Sequence, residues 1–262
     1  MLIPFLRRRA SEQASPPRVD DVRVYAIGDI HGRDDLFAEL LDRIAQDEAG
    51  RPPLPRLLIL LGDLVDRGPA SRQVVERAMA LARSDETVRF IKGNHEEMFI
   101  AAARGQVRAA RLFRRFGGIE TLASYGLTSK MSVAMSDEAL VQWMLTGIPR
   151  AAIDFLDDGE DQISVGDYLF VHAGVRPRIA LEAQLPTDMR WIRGDFLNHR
   201  GSFGKMIVHG HSITENVDIR PNRIGIDTGA FGSGRLTAVG LENERRWFLQ
   251  TGVDGPQKRQ PI

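Results

Sequence analysis

The chain has 262 residues, 43% hydrophobic and 27% charged, enough for one large domain or two small ones. Lys plus Arg and Asp plus Glu balance at 35 each, so the bulk charge offers nothing to a nucleic-acid or membrane-surface partner. There is no cysteine, which excludes disulfides, thiolate metal sites and a Cys nucleophile and fits a reducing, cytoplasmic compartment.

Residues 1–20 read as a disordered tail. Its apolar patch precedes Arg7, Arg8 and Arg9, the reverse of a secretory signal. No apolar run approaches the roughly 18 residues that span a bilayer. The catalytic domain is then expected over 21–252. Three β-rich runs open it, "VRVYAI", "RLLILL" and "VRFI", each ending in a glycine with ligand-type residues beside it: "GDIHG", "GDLVDRG" and "KGNHE". Between them lie helical patterns. Leu36, Phe37, Leu40, Leu41 and Ile44 share one helical face, as do Val74, Val75, Ala78, Met79 and Ala82. Strand, helix, strand, helix, strand is the signature of parallel βαβ units, whose ligands bind beyond the carboxyl ends of the strands. A helical insertion follows over about 97–148, interrupted at "GGIETLASYG". Its arginines, Arg104, Arg108, Arg111, Arg114 and Arg115, form either a solvated face or a docking surface for a phosphorylated substrate. Beyond Pro149 the texture changes to short strands: "YLFVHAG", "KMIVHGHS", "NRIGIDTGA", "LTAVGL" and "RRWFLQT". Residues 253–262 read as a second disordered tail. No linker or repeat divides the chain, so one domain is expected, α/β in front and β-rich behind.

Five of the six histidines, all but His199, directly follow an apolar run. Asp29 and His31 are two apart and face one way in an extended segment. Asp63 ends the second strand, Asn94 and His95 follow the third, His172 ends the fourth, and His209 and His211 end the fifth. Carboxylate, imidazole and amide oxygen together suit Mn, Fe, Zn, Co or Ni rather than an all-oxygen Ca or Mg site. The set is too large for one ion and suits two, with Asp63, from the middle strand, as the natural bridge.

These motifs, in this order and spacing, resemble the phosphoprotein phosphatase family within the calcineurin-like metallophosphoesterases, over about Val22 to Leu249. "HAGVRP", "WIR" and "HGHS" bring the resemblance nearest to the bacterial and phage-type serine/threonine phosphatases. The resemblance implies two mixed β-sheets packed as a sandwich and flanked by helices. It implies that Asp29 and His31 hold one metal, that Asp63 bridges, and that Asn94, His172 and His211 complete the second. The superfamily often carries a further histidine two positions after the last ligand, but Ile213 stands there, which leaves the first metal short of a ligand. His209 has no firm counterpart; it supports a ligand from behind, merely ends a strand, or is itself a further ligand.

Such a pair of ions activates a water for in-line attack at phosphorus. His95 is expected to protonate the leaving group, with Asp66 orienting it and Arg67 clamping phosphate oxygens. Arg193, in "WIR", is the expected second phosphate arginine, and Arg176, in "HAGVRP", is its rival. Glu96 is expected to support the site without ligating, and Asp227 to make a structural hydrogen bond. The expected activity is that of a protein serine/threonine phosphatase acting on a phosphoprotein or phosphopeptide with two divalent ions, manganese first among them. Symmetrical diadenosine tetraphosphatase, or another nucleotide phosphohydrolase, is the alternative. The balanced charge disfavours a nuclease.

Overall fold

A computed structural model describes residues 15–252. Residues 1–14 of the proposed leading tail and all of the trailing one, 253–262, fall outside the described residues, and the first strand begins at Val19, inside the 1–20 segment assigned to the leading tail. Val19 is fully buried, because its side chain joins the core between the sheets.

The leading units form as expected: β1 (Val19–Ile27), α1 (Asp34–Ala49), β2 (Arg56–Leu60), α2 (Ser71–Ser84) and β3 (Val88–Phe90). A run of helices follows: α3 (Asn94–Ala103), α4 (Val107–Arg115), α5 (Gly118–Ser124), α6 (Ser129–Ala134), α7 (Asp137–Gly147) and α8 (Arg150–Asp157). The helical part therefore runs past 148. Pro149 does not end it, because Pro149 caps the start of α8, a position where a missing N–H costs nothing. The second half holds β4 (Gln162–Val165), β5 (Tyr168–Val171), the short helices α9 (Pro186–Trp191) and α10 (Gly194–Leu197), and β6 (Met206–His209). It closes with β7 (Asp218–Arg220), β8 (Arg223–Gly225), α11 (Ala230–Ser233), β9 (Thr237–Asn243) and β10 (Arg245–Gln250).

The strands make two five-stranded mixed sheets, ordered β10-β9-β1-β2-β3 and β4-β5-β6-β8-β7. In the first, β1, β2 and β3 are parallel; in the second, β5, β6 and β8 are parallel. The two-residue period of a strand sorts the apolar residues into layers. Val24, Ala26, Ile59 and Leu61 face Phe170, Val208 and Ile224 across the sandwich. Tyr25, Ile27, Leu58 and Leu60 face the helices instead. Burial on both faces explains why these strands read as continuous apolar runs rather than alternating ones. Among the described residues no helix is long and apolar enough to cross a membrane.

Candidate active site

The loop after β1 is stitched to the loop after β2: Ile30 N and His31 N donate to Asp63 O at 3.1 and 2.8 Å. The loop after β5 is joined to the loop after β6, with Gly210 N donating to His172 O at 2.8 Å. The glycines of these motifs are required by crowding. A Cβ at Gly93 would overlap the Asp63 carboxylate, and one at Gly210 would overlap Asp29. Five site residues, His31, Asp63, Asp66, Arg67 and His211, sit at positive φ, between 47° and 75°. For residues bearing a Cβ this costs about 1–3 kcal/mol each and persists only where the surroundings enforce it. Glu96 is one enforcer. Its carboxylate accepts from Asp63 N and Leu64 N at 2.8 Å and from Gly93 N at 2.9 Å. It thus lies beneath the Asp63 turn, in contact with backbone rather than with the other ligand-type side chains.

Asp63 stands at the centre. One group of ligand atoms, from His31, Asp63 and His95, lies within 4.8 Å of one another, and a second, from Asp63, His172 and His211, does likewise. His31 Nε2 is 3.5 Å from Asp63 Oδ2, and His172 Nε2 is 3.4 Å from Asp63 Oδ1. Each of these two rings uses its Nδ1 on a backbone carbonyl, Val65 O and Leu61 O at 2.8 Å, which turns Nε2 inward. Nε2 of His31 and of His211 is buried with no hydrogen-bond partner among the described residues. Buried imidazole nitrogens aimed at a shared carboxylate without a proton partner fit divalent ions. Asn94 Oδ1 is 3.0 Å from His172 Nε2 and joins the second group. Asp29 is buried beside the cluster, but its oxygens accept from His211 N at 3.0 and 3.1 Å and it belongs to neither three-residue group.

The electrostatics follow the same geometry. Burial raises the proton affinity of Asp63, but the imidazoles of His172, His95 and His31 outweigh it and hold the carboxylate ionised. Burial pushes His31 down to about 3, against the pull of Asp63. Burial likewise pushes His211 down to about 2, with the charges of His172 and Arg193 adding to it.

His95 differs from the other histidines. Its Nδ1 is 2.6 Å from Asp66 Oδ2, and its Nε2 is 3.1 Å from Arg67 Nη2. An arginine beside Nε2 disfavours a metal on that nitrogen. Burial opposes the charged ring, yet Asp63 and Asp66 prevail and raise its pKa above the usual imidazole value. Asp66 is held in turn by Thr121 Oγ1, which donates to Oδ1 at 2.7 Å, and Arg67 N donates to Gly117 O at 2.9 Å. The "GGIETLASYG" stretch, expected to interrupt the helical insertion, instead forms helix α5 between Gly117 and Tyr125 and is the brace behind His95, a role no motif in the sequence announces.

Arg176 is committed elsewhere. It forms ion pairs with Asp188 at 2.5 Å and Asp195 at 3.3 Å. His209 also stands apart, with Nδ1 3.0 Å from Gly210 O and its ring 5.0 Å from Phe196. The insertion arginines are largely ion-paired, Arg104 with Asp157 and both Arg111 and Arg114 with Asp137, which favours the solvated face over a docking surface. Phe231, on α11, was not foreseen. Its ring lies 5.7 Å from that of His31 and 4.9 Å from the Arg67 guanidinium, and the residue is 38% exposed.

The family model for calcineurin-like phosphoesterases matches residues 22–232. The chain belongs to that family. Among curated calcineurin-like relatives, it is 28% identical over 231 residues to the asymmetrical bis(5'-nucleosyl)-tetraphosphatase PrpE of Anoxybacillus flavithermus, covering 81% of this chain and 88% of that one. It is 34% identical over 162 residues to the symmetrical bis(5'-nucleosyl)-tetraphosphatase of an Acidovorax species. That match covers 62% of this chain and 47% of the relative, so the chain spans about half the length of the symmetrical enzyme. Among solved structures, a candidate diadenosine tetraphosphatase superposes with a TM-score of 0.61 at 19% identity, covering 92% of this chain and 100% of that one. A serine/threonine phosphatase from Saccharomyces cerevisiae superposes with a TM-score of 0.55 at 15% identity, covering 93% and 86%. At these identities the structures establish the fold. The curated names favour the nucleotide alternative over the serine/threonine phosphatase expected from the motifs.

Proposed function

We propose that this calcineurin-like phosphoesterase is a metal-dependent hydrolase of dinucleoside polyphosphates. The observation that carries the reading is the likeness to PrpE over nearly the whole of both chains. The pairing of Arg67 with the exposed ring of Phe231 fits it, since a phosphate clamp beside an aromatic face suits a nucleotide. Asp29, His31 and Asp63 would hold one divalent ion, and Asp63, Asn94, His172 and His211 the other. The bound pair supplies Lewis acidity and an activated water. The protein's own groups do the rest. Arg67 and Arg193 orient the phosphate oxygens for in-line attack. His95, its Nδ1 fixed by Asp66, delivers a proton from Nε2 to the departing oxygen. A proton on Nε2 also ends the contact that nitrogen accepts from Arg67, which frees the guanidinium for the substrate.

A protein serine/threonine phosphatase is the second reading, and the buried Asp66–His95 pair favours it, because a departing serine alkoxide needs a strong proton donor. Turnover of diadenosine tetraphosphate and of a phosphoserine peptide, each with manganese and with chelator, separates the two. Faster metal-dependent cleavage of the dinucleotide supports the first reading; cleavage of the peptide alone overturns it.

A further inference from the structure

Asp227 was expected to do no more than make a structural hydrogen bond, and one of its oxygens does so: Oδ1 accepts from Gly229 N at 2.9 Å. The other oxygen is unexplained. Asp227 is 2% exposed, and Oδ2 has no hydrogen-bond partner among the described residues. A buried carboxylate oxygen with no donor is costly unless a cation or proton meets it.

The backbone brings this residue to the ligand cluster. Strands β6 and β8 run in parallel register, Ile207 with Arg223, Val208 with Ile224 and His209 with Gly225. The pairing continues beyond the strands, with Ile226 N donating to His209 O at 2.9 Å and Thr214 N donating to Asp227 O at 3.0 Å. Asp227 is thus tied to the loop after β6 three positions beyond His211. From the other side, a Cβ at Gly28 would meet Ile226 O at 2.8 Å, so the residue before Asp227 presses against the residue before Asp29. Asp29, Asp63 and Asp227 are all buried on the loops that follow β1, β2 and β8, and His31 and His211 on neighbouring loops each leave a buried Nε2 unpartnered. Position 213, where a further histidine would stand, holds Ile213, which is 51% exposed and has no donor atom.

We propose that Asp227 Oδ2 is a ligand of the ion held by Asp29 and His31, supplying from the β8 side what position 213 does not. The assignment rests on the two-metal reading above. In it Asp227 has two duties at once, with Oδ1 shaping the turn at Gly229 and Oδ2 facing the ion. The single side-chain oxygen of asparagine performs only one of them. Asp227→Asn thus keeps the turn and loses the ligand.

The test is manganese binding by calorimetry and elemental analysis on chelator-stripped, reconstituted protein. Wild type is expected to take two ions. Asp227→Asn is expected to keep one at wild-type affinity and to weaken the other at least tenfold, the lower bound for losing a group that tunes a metal site. Its metal-free melting temperature should equal or exceed that of metal-free wild type, because the substitution removes a buried unpaired charge while the turn at Gly229 is kept. Two ions bound by Asp227→Asn with a loss smaller than tenfold overturns the assignment alone. Fewer than two ions in wild type overturns the two-metal reading and the assignment together. Manganese-loaded wild-type crystals give a check independent of folding in the variant. Asp227 Oδ2 within about 2.0–2.5 Å of an anomalous peak supports the assignment, and Oδ2 satisfied by protein or water with no ion at that range overturns it.

Discussion

Replacing His95 by asparagine separates the two substrate readings as well as testing the acid. The imidazole is buried, 2.6 Å from Asp66 and 3.1 Å from Arg67, so nothing else in the described site can deliver a proton from that position. A positioned general acid contributes about 10²–10⁴ in rate, or about 3–5 kcal/mol of barrier. The full loss is expected where the leaving group is a serine alkoxide, whose departure depends on the proton. For a dinucleoside polyphosphate the departing group is itself a phosphate, a far weaker base, and a loss below about tenfold is expected. The variant also strands Asp66 Oδ2, at a cost of about 1–3 kcal/mol in stability, though Thr121 still satisfies Oδ1. Rates should therefore be compared well below the melting transition. The assay is kcat on diadenosine tetraphosphate, on a phosphoserine peptide and on nitrophenyl phosphate, with manganese binding as a control. Equal losses on all three, with metal binding intact, would refute the general-acid role of His95.

Other substitutions probe the remaining assignments. Arg193→Ala should lower kcat/KM by about 10–100-fold, the range of one charge-assisted phosphate contact, whereas Arg176→Ala, which breaks only the exposed pairs with Asp188 and Asp195, should change it less than threefold in the same steady-state assay. Phe231→Ala should raise KM for the dinucleotide, by about tenfold if it removes one stacked base, and leave KM for nitrophenyl phosphate unchanged; equal effects would mean that the ring only props Arg67. His209 is pushed down to about 4 by burial. A histidine lowered in the fold binds its proton more readily when unfolded, so stability falls as pH drops from about 6.5 to about 4, by roughly 3 kcal/mol for such a shift. Denaturant melts of His209→Leu should show a correspondingly flatter acid limb than wild type; identical slopes would show that this ring does not set it.

Much of the fold was legible because the strands carry their own punctuation. The apolar runs ending in Gly28, Gly62 and Gly93 each lead to a loop too crowded for a Cβ, so motif and topology coincide. The helix α8 and the short strand β7 were not, since Pro149 reads equally as a stop or as a helix start and β7 is largely exposed, with no apolar face. In the site, residues within one motif were visible by spacing. Those that act from afar were not. Thr121 reaches Asp66 across 55 positions and Phe231 reaches His31 from the connection between β8 and β9, and neither has a residue type that signals such a contact. The sequence preferred Arg193 to Arg176 by motif alone. What distinguishes them is that Asp188 and Asp195 claim one of the two guanidinium groups.

The central claim is that one carboxylate, Asp63, is shared by two ions. It is tested most directly by counting metal per chain, by elemental analysis after reconstitution with manganese, in wild type and in Asp63→Asn. The account expects two ions in wild type and loss of both from the variant, because Asp63 lies between His31 on one side and His172 on the other. A full complement of two in Asp63→Asn would contradict it.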